Sequence, residues 1–114
     1  MLKSDNTPVI IDFGLSTFVH KDTHIYTKCG TPGYLAPEIV FLNAENPQFS
    51  TQSDIFSAGV IFHYLITGMP LFNGETASEV YERNKKFDID FDAIKNYFTT
   101  EEFDLFQKML KMNP

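Results

Sequence analysis

Residues 55–66 constrain the fold more than any other part of the chain. Ile55, Phe56, Ala58, Val60, Ile61, Phe62, Leu65 and Ile66 follow one another without a proline, and Gly68-Met69-Pro70 closes the run. The pattern predicts a helix over about 54–67, with Ser53 or Asp54 as its N-cap and Gly68 as its stop signal. On a helical wheel these residues fall around the whole circumference rather than on one stripe. The helix is therefore expected to be buried on nearly all sides. A chain of 114 residues offers few neighbours for such a helix, so partner structure is expected to complete its enclosure. Ser57 and His63 interrupt the run, which is too short to cross ~30 Å of hydrocarbon. It reads as a core helix, not a membrane span.

The other elements are shorter. Val9-Ile10-Ile11, following Ser4-Asp5-Asn6-Thr7-Pro8, predicts a turn feeding a short buried strand, with Leu2 ending the partner strand. From Leu15 to Thr31 hydrophobic periodicity disappears, which is the chemistry of a long loop. Pro37 suits the first turn of a short helix through Asn43, closed before Asn46-Pro47. Asn73-Gly74 is a turn, and a helix is expected over about 75–84 with Ala77 and Val80 facing inward. Lys85 to Asp92 is charged and reads as a loop. Thr99 and Glu102 have capping-box spacing for a helix over about 100–111, whose Phe103, Phe106, Met109 and Leu110 share one face. His63 reads as a helix-face residue and Lys85-Lys86 as solvated cations, not as ligands. With 12 Phe among 43% hydrophobic residues the chain can build one core. The expected class is mainly α, with a residual N-terminal β-hairpin.

The net charge of −6 and pI near 4.8 argue against nucleic acid and against an anionic membrane surface, both of which call for a basic face. Cys29 is the sole cysteine, so no internal disulfide can form. No cationic-then-apolar leader opens the chain. A reducing, cytoplasmic location is expected.

Two motifs carry the chemistry: Asp12-Phe13-Gly14 behind the apolar run, and Gly30-Thr31-Pro32-Gly33-Tyr34-Leu35-Ala36-Pro37-Glu38. The tripeptide alone is a common surface turn. Joined in order to the longer block and to Asp54 with Gly59, it makes the chain from Pro8 onward resemble the C-terminal lobe of a eukaryotic protein kinase. The likeness is greatest to the calcium/calmodulin-dependent group. It implies that 1–114 is a partial kinase domain, a large lobe with its activation segment at 12–38. Within Thr31-Pro32-Gly33-Tyr34-Leu35 the resemblance fits serine/threonine rather than tyrosine kinases.

The resemblance also implies roles. Asp12 would hold Mg²⁺ bridging the phosphates of ATP, since a small hard cation needs oxygen ligands in fixed places. Phe13 and Gly14 would form the hinge of the activation segment, Phe13 by its packing; the plainer reading makes Phe13 one of many core phenylalanines. Thr27 matches a position often phosphorylated to order the loop, with Thr23, Tyr26 and Ser16 as rival acceptors. Thr31 would contact the catalytic loop, and Pro32 with Leu35 would shape the docking pocket for the protein substrate. Glu38 pairs in the family with a buried arginine beyond the last helix; without it the carboxylate is either solvated or destabilising. Asp54 would cap the central helix and hold the catalytic-loop backbone. The family often places a carboxylate for basic substrate residues where Tyr64 stands.

Met1 lies 11 residues before Asp12, which leaves no room for the glycine-rich loop, the phosphate-pairing lysine or the catalytic loop. No catalytic residue is therefore expected in the chain. The expectation is a kinase fragment that transfers no phosphoryl group by itself and needs the missing kinase portion or a partner protein. Two rivals stand beside it: a non-catalytic, kinase-derived binding module docking a partner through its last two helices, and a remnant with no stable native state.

Overall fold

The computed structural model describes residues 1–18, 29–42 and 50–111. Within them lie helices α1 (Pro37–Val40), α2 (Gln52–Thr67), α3 (Ala77–Lys86), α4 (Phe91–Ile94) and α5 (Thr100–Met109), with a 3-10 turn at Lys95–Tyr97 before α5. The mainly helical class is as expected, and strand structure among the described residues is reduced to one antiparallel bridge, Leu2 to Pro8.

α5 starts where the sequence says it should. The Thr99 side chain accepts from the Glu102 amide while the Glu102 carboxylate accepts from the Thr99 amide, closing the capping box. α1 opens on Pro37, whose missing N–H is no loss in a first turn, and ends at Val40, short of Asn43. α3 begins two residues later than expected because Thr76, accepting from the Glu79 amide, takes the cap position. It therefore runs through Lys85-Lys86, which form its last turn rather than a loop. Val80 packs against the core and Asn84 is buried, one turn apart, whereas Ala77 lies at the exposed end of the helix instead of facing inward.

The core sits between α2 and α5. Phe56 and Val60 of α2 meet Phe106 and Leu110, joined by Ala36, Ile39 and Phe72. Phenylalanines supply much of the apolar volume: Phe106 stacks on Phe98 with centroids 5.0 Å apart and meets Phe91 edge-on at 6.0 Å. Phe56 reaches Phe87 at 6.2 Å, linking α2 to the end of α3. Such pairs add about 0.5–1.5 kcal/mol each beyond the area they bury. The helices cross closely at Gly59, where an added Cβ would sit 3.0 Å from Leu110 Cδ2 and 3.0 Å from Met109 Cβ.

Three expectations are corrected. First, α2 is buried on one face only: Ser53, Phe56, Gly59, Val60 and His63 point into the core, while Ile55 and Leu65 are 51% and 76% exposed. The described helices cover the stripe facing α5 and leave the opposite apolar side open. Second, α2 begins at Gln52 with Thr51 in the N-cap position and no side-chain cap bond, so neither Ser53 nor Asp54 caps it. Ser53 is drawn instead to Glu38, and Asp54 lies exposed in the first turn. Gly68, in the left-handed region, does end the helix. Third, Val9, Ile10 and Ile11 are exposed rather than buried, Ile10 by 83%. The hairpin itself forms, with Met1 and Val9 exchanging two backbone bonds of 3.0 and 2.9 Å, but none of the described helices packs on it. Two paired strands alone are marginal in water.

No helix among the described residues is long and apolar enough to cross a membrane.

Candidate functional site

The block from Gly30 to Glu38 is fixed by its own turn and by two neighbouring helices. Pro32 and Gly33 are the central residues of a turn closed by a 3.1 Å bond from the Tyr34 amide to the Thr31 carbonyl, and Gly33 has φ of +89°. Proline then a left-handed glycine is the pattern of a type II turn. Asn84 of α3, wholly buried, receives the Gly33 amide on Oδ1 at 3.2 Å and donates from Nδ2 to the Leu35 carbonyl at 2.9 Å. On the other side, Ser57 of α2 donates to the Tyr34 carbonyl at 2.8 Å. The block is thus pinned across three consecutive residues.

Two clefts flank it. One, of about 180 Å³, contains Thr31 and Leu35 together with Leu15, Cys29 and Tyr34, and is walled by Ser53, Asp54 and Ser57 of α2. The other, of about 190 Å³, takes Pro32 and Tyr34 and is closed by Val60 and Tyr64 of α2, Val80 of α3 and the loop 70–74. Thr31, Leu35 and Asp54 are therefore brought to one cleft, and Pro32 opens on the next.

Asp12 and Phe13 do not line either cleft. Asp12 is exposed, with φ of 64°, and its Oδ1 accepts from the Gly14 amide at 3.1 Å. The unusual backbone thus falls on Asp12, a residue type that tolerates the left-handed region, and not on Gly14. Phe13 is 68% exposed, so neither hinge packing nor core packing of its ring is realised among the described residues. Thr27 lies outside the described residues, as do Thr23 and Tyr26. Ser16, the remaining rival acceptor, is exposed and donates to the Phe13 carbonyl.

Mg²⁺ is the ion the expected chemistry requires. Among the described residues no group of three His, Cys, Asp or Glu side chains gathers to hold a metal. Asp12 offers the right donor type, but as one carboxylate with one oxygen already engaged by a backbone amide. The described residues do not by themselves make a Mg²⁺ site.

Glu38 is partly buried and accepts a short hydrogen bond from the Ser53 hydroxyl, which joins α1 to the first turn of α2. It opens on a groove with Gln52, Ile55, Lys108 and Lys111. Glu38 is thus neither fully solvated nor stranded without a donor.

His63 lies on the face of α2 that meets the core, 2% exposed, with its ring stacked on Phe106 at 5.7 Å. Its Nε2 has no hydrogen-bond partner among the described residues, and burial pushes its pKa below 6.5, opposed by hydrogen bonding to the Met69 backbone. Sequence reasoning missed Asn84 and Ser57. A buried asparagine in a polar helix segment gives no periodic signal of its own.

Comparison with known proteins fits this arrangement. The protein kinase domain family matches residues 1–114. Among curated relatives, "Probable serine/threonine-protein kinase 2" of Plasmodium falciparum is 38% identical over 96 residues, 82% of this chain and 18% of that protein. Serine/threonine-protein kinase PLK4 of Nematostella vectensis is 37% identical over 115 residues, 100% of this chain and 11% of the relative. Calcium-dependent protein kinase 2 of Arabidopsis thaliana is 34% identical over 113 residues, 98% of this chain and 17% of the relative. The chain thus spans less than a fifth of the length of each of these three. The match over its whole length and these identities place the chain in the protein kinase domain family.

Proposed function

We propose that the chain is the activation-segment and helical portion of the large lobe of a serine/threonine protein kinase, whose whole protein transfers the γ-phosphate of ATP to a serine or threonine hydroxyl of a protein substrate. The carrying observation is the Thr31–Glu38 block, locked by Asn84 and Ser57 at the meeting of two clefts. A substrate-docking strip needs such rigidity, because placing a hydroxyl near its reaction partner is where most of the rate is gained. In this reading Pro32 and Leu35 contact the substrate and Thr31 meets the catalytic loop. Asp12 would offer one carboxylate to Mg²⁺ in the whole kinase, where the metal would serve to neutralise phosphate charge. Thr27 is the phosphorylation site that orders the loop.

The nearest placement within the family is the calcium/calmodulin-dependent group, supported by the likeness to a calcium-dependent kinase. A cytoplasmic location belongs to the same reading, supported by the single cysteine.

By itself the 114-residue chain is inactive in this proposal, because Asp12 is the one residue of the phosphoryl-transfer machinery assigned in it. Incubation with ATP, Mg²⁺ and a protein substrate is expected to give no transfer. A chimera carrying residues 1–114 in place of the matching segment of a serine/threonine kinase is expected to yield phosphoserine or phosphothreonine and to lose activity on Asp12→Asn. Phosphotyrosine, or full activity after that substitution, overturns the reading.

The open apolar side of α2, with Ile55, Ile61 and Leu65 exposed, favours a second reading as a non-catalytic binding module. It would use that face rather than the last two helices, whose Phe106 and Leu110 are consumed by the core.

A further inference from the structure

Toward the C-terminal end of α2 a cavity of about 240 Å³ opens beside His63. Leu71 and Ile94 give it apolar walls, and its charged groups are Arg83 of α3 with Asp88 and Asp90 from the segment between α3 and α4. The geometry points to a proton-operated latch: neutral His63 ties α2 to α5, and protonated His63 turns into this cavity and ties α2 to Asp88 and Asp90 instead. The latch does not depend on what the docking block binds.

Three observations carry it. The first is the closed position. The imidazole stacks on Phe106 at 5.7 Å and meets Phe98 at 6.2 Å, and Nδ1 lies 3.4 Å from the Thr67 hydroxyl oxygen. Nε2, by contrast, is sealed from water with no partner among the described residues. A neutral ring bears this as one unused lone pair. A protonated ring has two N–H donors, and the one at Nε2 would be left without an acceptor inside the core, together with the charge.

The second is room. A cavity of about 150 Å³ accepts benzene, so this one admits an imidazole ring and leaves space for water. His63 already forms part of its wall, so the move is a change of side-chain rotamer within α2.

The third is charge. On α2 itself the residues one turn away, Gly59, Val60, Ile66 and Thr67, carry none. α5 and the segment before it meet His63 with the rings of Phe106 and Phe98. On the cavity side two carboxylates stand against one guanidinium, and no ion pair among the described residues engages Arg83, Asp88 or Asp90. Asp90 uses Oδ1 to accept from the Ala93 amide at 3.0 Å, capping α4, and keeps Oδ2. An imidazolium in the cavity therefore gains carboxylate partners and hydration that the closed position denies it. Burial lowers the pKa of the closed ring, opposed by hydrogen bonding to the Met69 backbone, so the turn comes below the ordinary 6.5.

The test is histidine-ring NMR on the full 114-residue chain as pH falls from about 7.5 to about 5, a range that spans ordinary histidine titration. The His63 signals, identified by their absence in His63→Phe, are expected to lose their NOEs to Phe106 and gain NOEs to Leu71 and Ile94 as the ring charges. Asp88→Asn combined with Asp90→Asn keeps a capping oxygen on α4 and is expected to lower the midpoint of that titration by about half a unit or more, since a nearby opposite charge favours the protonated form. Hydrogen exchange separates the turn from unfolding, with amides in the middle of α5 expected to stay protected throughout. Each of four results overturns the latch: a ring still neutral at the lowest pH, NOEs to Phe106 that persist in the charged form, a midpoint unmoved by the double substitution, or loss of α5 protection in step with protonation.

Discussion

Asn84 Nδ2 donates to the Leu35 carbonyl at 2.9 Å across 49 residues of sequence, and Oδ1 of the same wholly buried amide receives the Gly33 amide at 3.2 Å. One side chain thus satisfies a donor and an acceptor of a turn that has no sheet or helix to do so. A buried backbone group without a partner costs as much as the lost bond itself, so the turn depends on this amide.

Asn84→Ala should therefore destabilise the chain by about 2–3 kcal/mol, since two polar backbone groups lose their partner together. Urea denaturation gives the size of the loss. Hydrogen exchange locates it, with the Gly33 amide expected to exchange faster while amides in the middle of α5 follow only the global change. An unaltered Gly33 exchange rate would contradict the assignment.

Gly59 lies where α2 crosses α5, 3.0 Å from Leu110 and Met109 as seen from an added Cβ. Gly59→Ala should gain about 1 kcal/mol of helix propensity and lose about 2 kcal/mol to overpacking, for a net loss of about 1 kcal/mol. The urea midpoint should fall with the slope unchanged. A stabilised variant would mean that the two helices separate without cost.

The Ser53 hydroxyl holds the Glu38 carboxylate. Ser53→Ala should cost about 2 kcal/mol, as expected for a hydrogen bond to a charged group that is partly buried. Glu38→Gln keeps an acceptor oxygen and should cost less, about 1 kcal/mol, in the same denaturation experiment. Equal losses from both substitutions would mean that the hydrogen bond joining α1 to α2 depends on the charge of its acceptor.

What could be read from the sequence was local. The capping box at Thr99 and Glu102, the proline opening α1 and the glycine ending α2 are each decided by residues within one helical turn, and each is found where the pattern puts it. The α2 cap failed because the helix starts earlier, at Gln52, which puts Ser53 inside the first turn, where its hydroxyl donates to Glu38 instead of accepting from a free amide. Burial of α2 is a different case. Its apolar wheel reports every surface the helix is suited to bury, whereas the described residues cover only the stripe through Phe56, Val60 and His63. In the candidate site, the order of motifs identified the family. It carried no sign of Asn84 or Ser57, whose value lies in backbone groups 49 and 23 residues away.

His63 links the core to pH. Its ring is buried against Phe106 and Phe98, and desolvation holds its folded pKa below the ordinary 6.5. The unfolded chain, with the ordinary value, binds the proton first as pH falls. Stability from neutral His63 is therefore intact above about 6.5 and declines as pH drops through that value toward the lower, folded pKa. Carboxylates add their own dependence at more acid pH, so the diagnostic is the difference between the parent chain and His63→Phe. Phenylalanine keeps the stack on Phe106 and removes the unpartnered Nε2. The thermal midpoint of the parent should fall between about pH 7.5 and about pH 5.5, one unit either side of an ordinary histidine at about 6.5. The variant should stay nearly flat over that range, and parallel curves for the two proteins would rule out His63 as the titrating group.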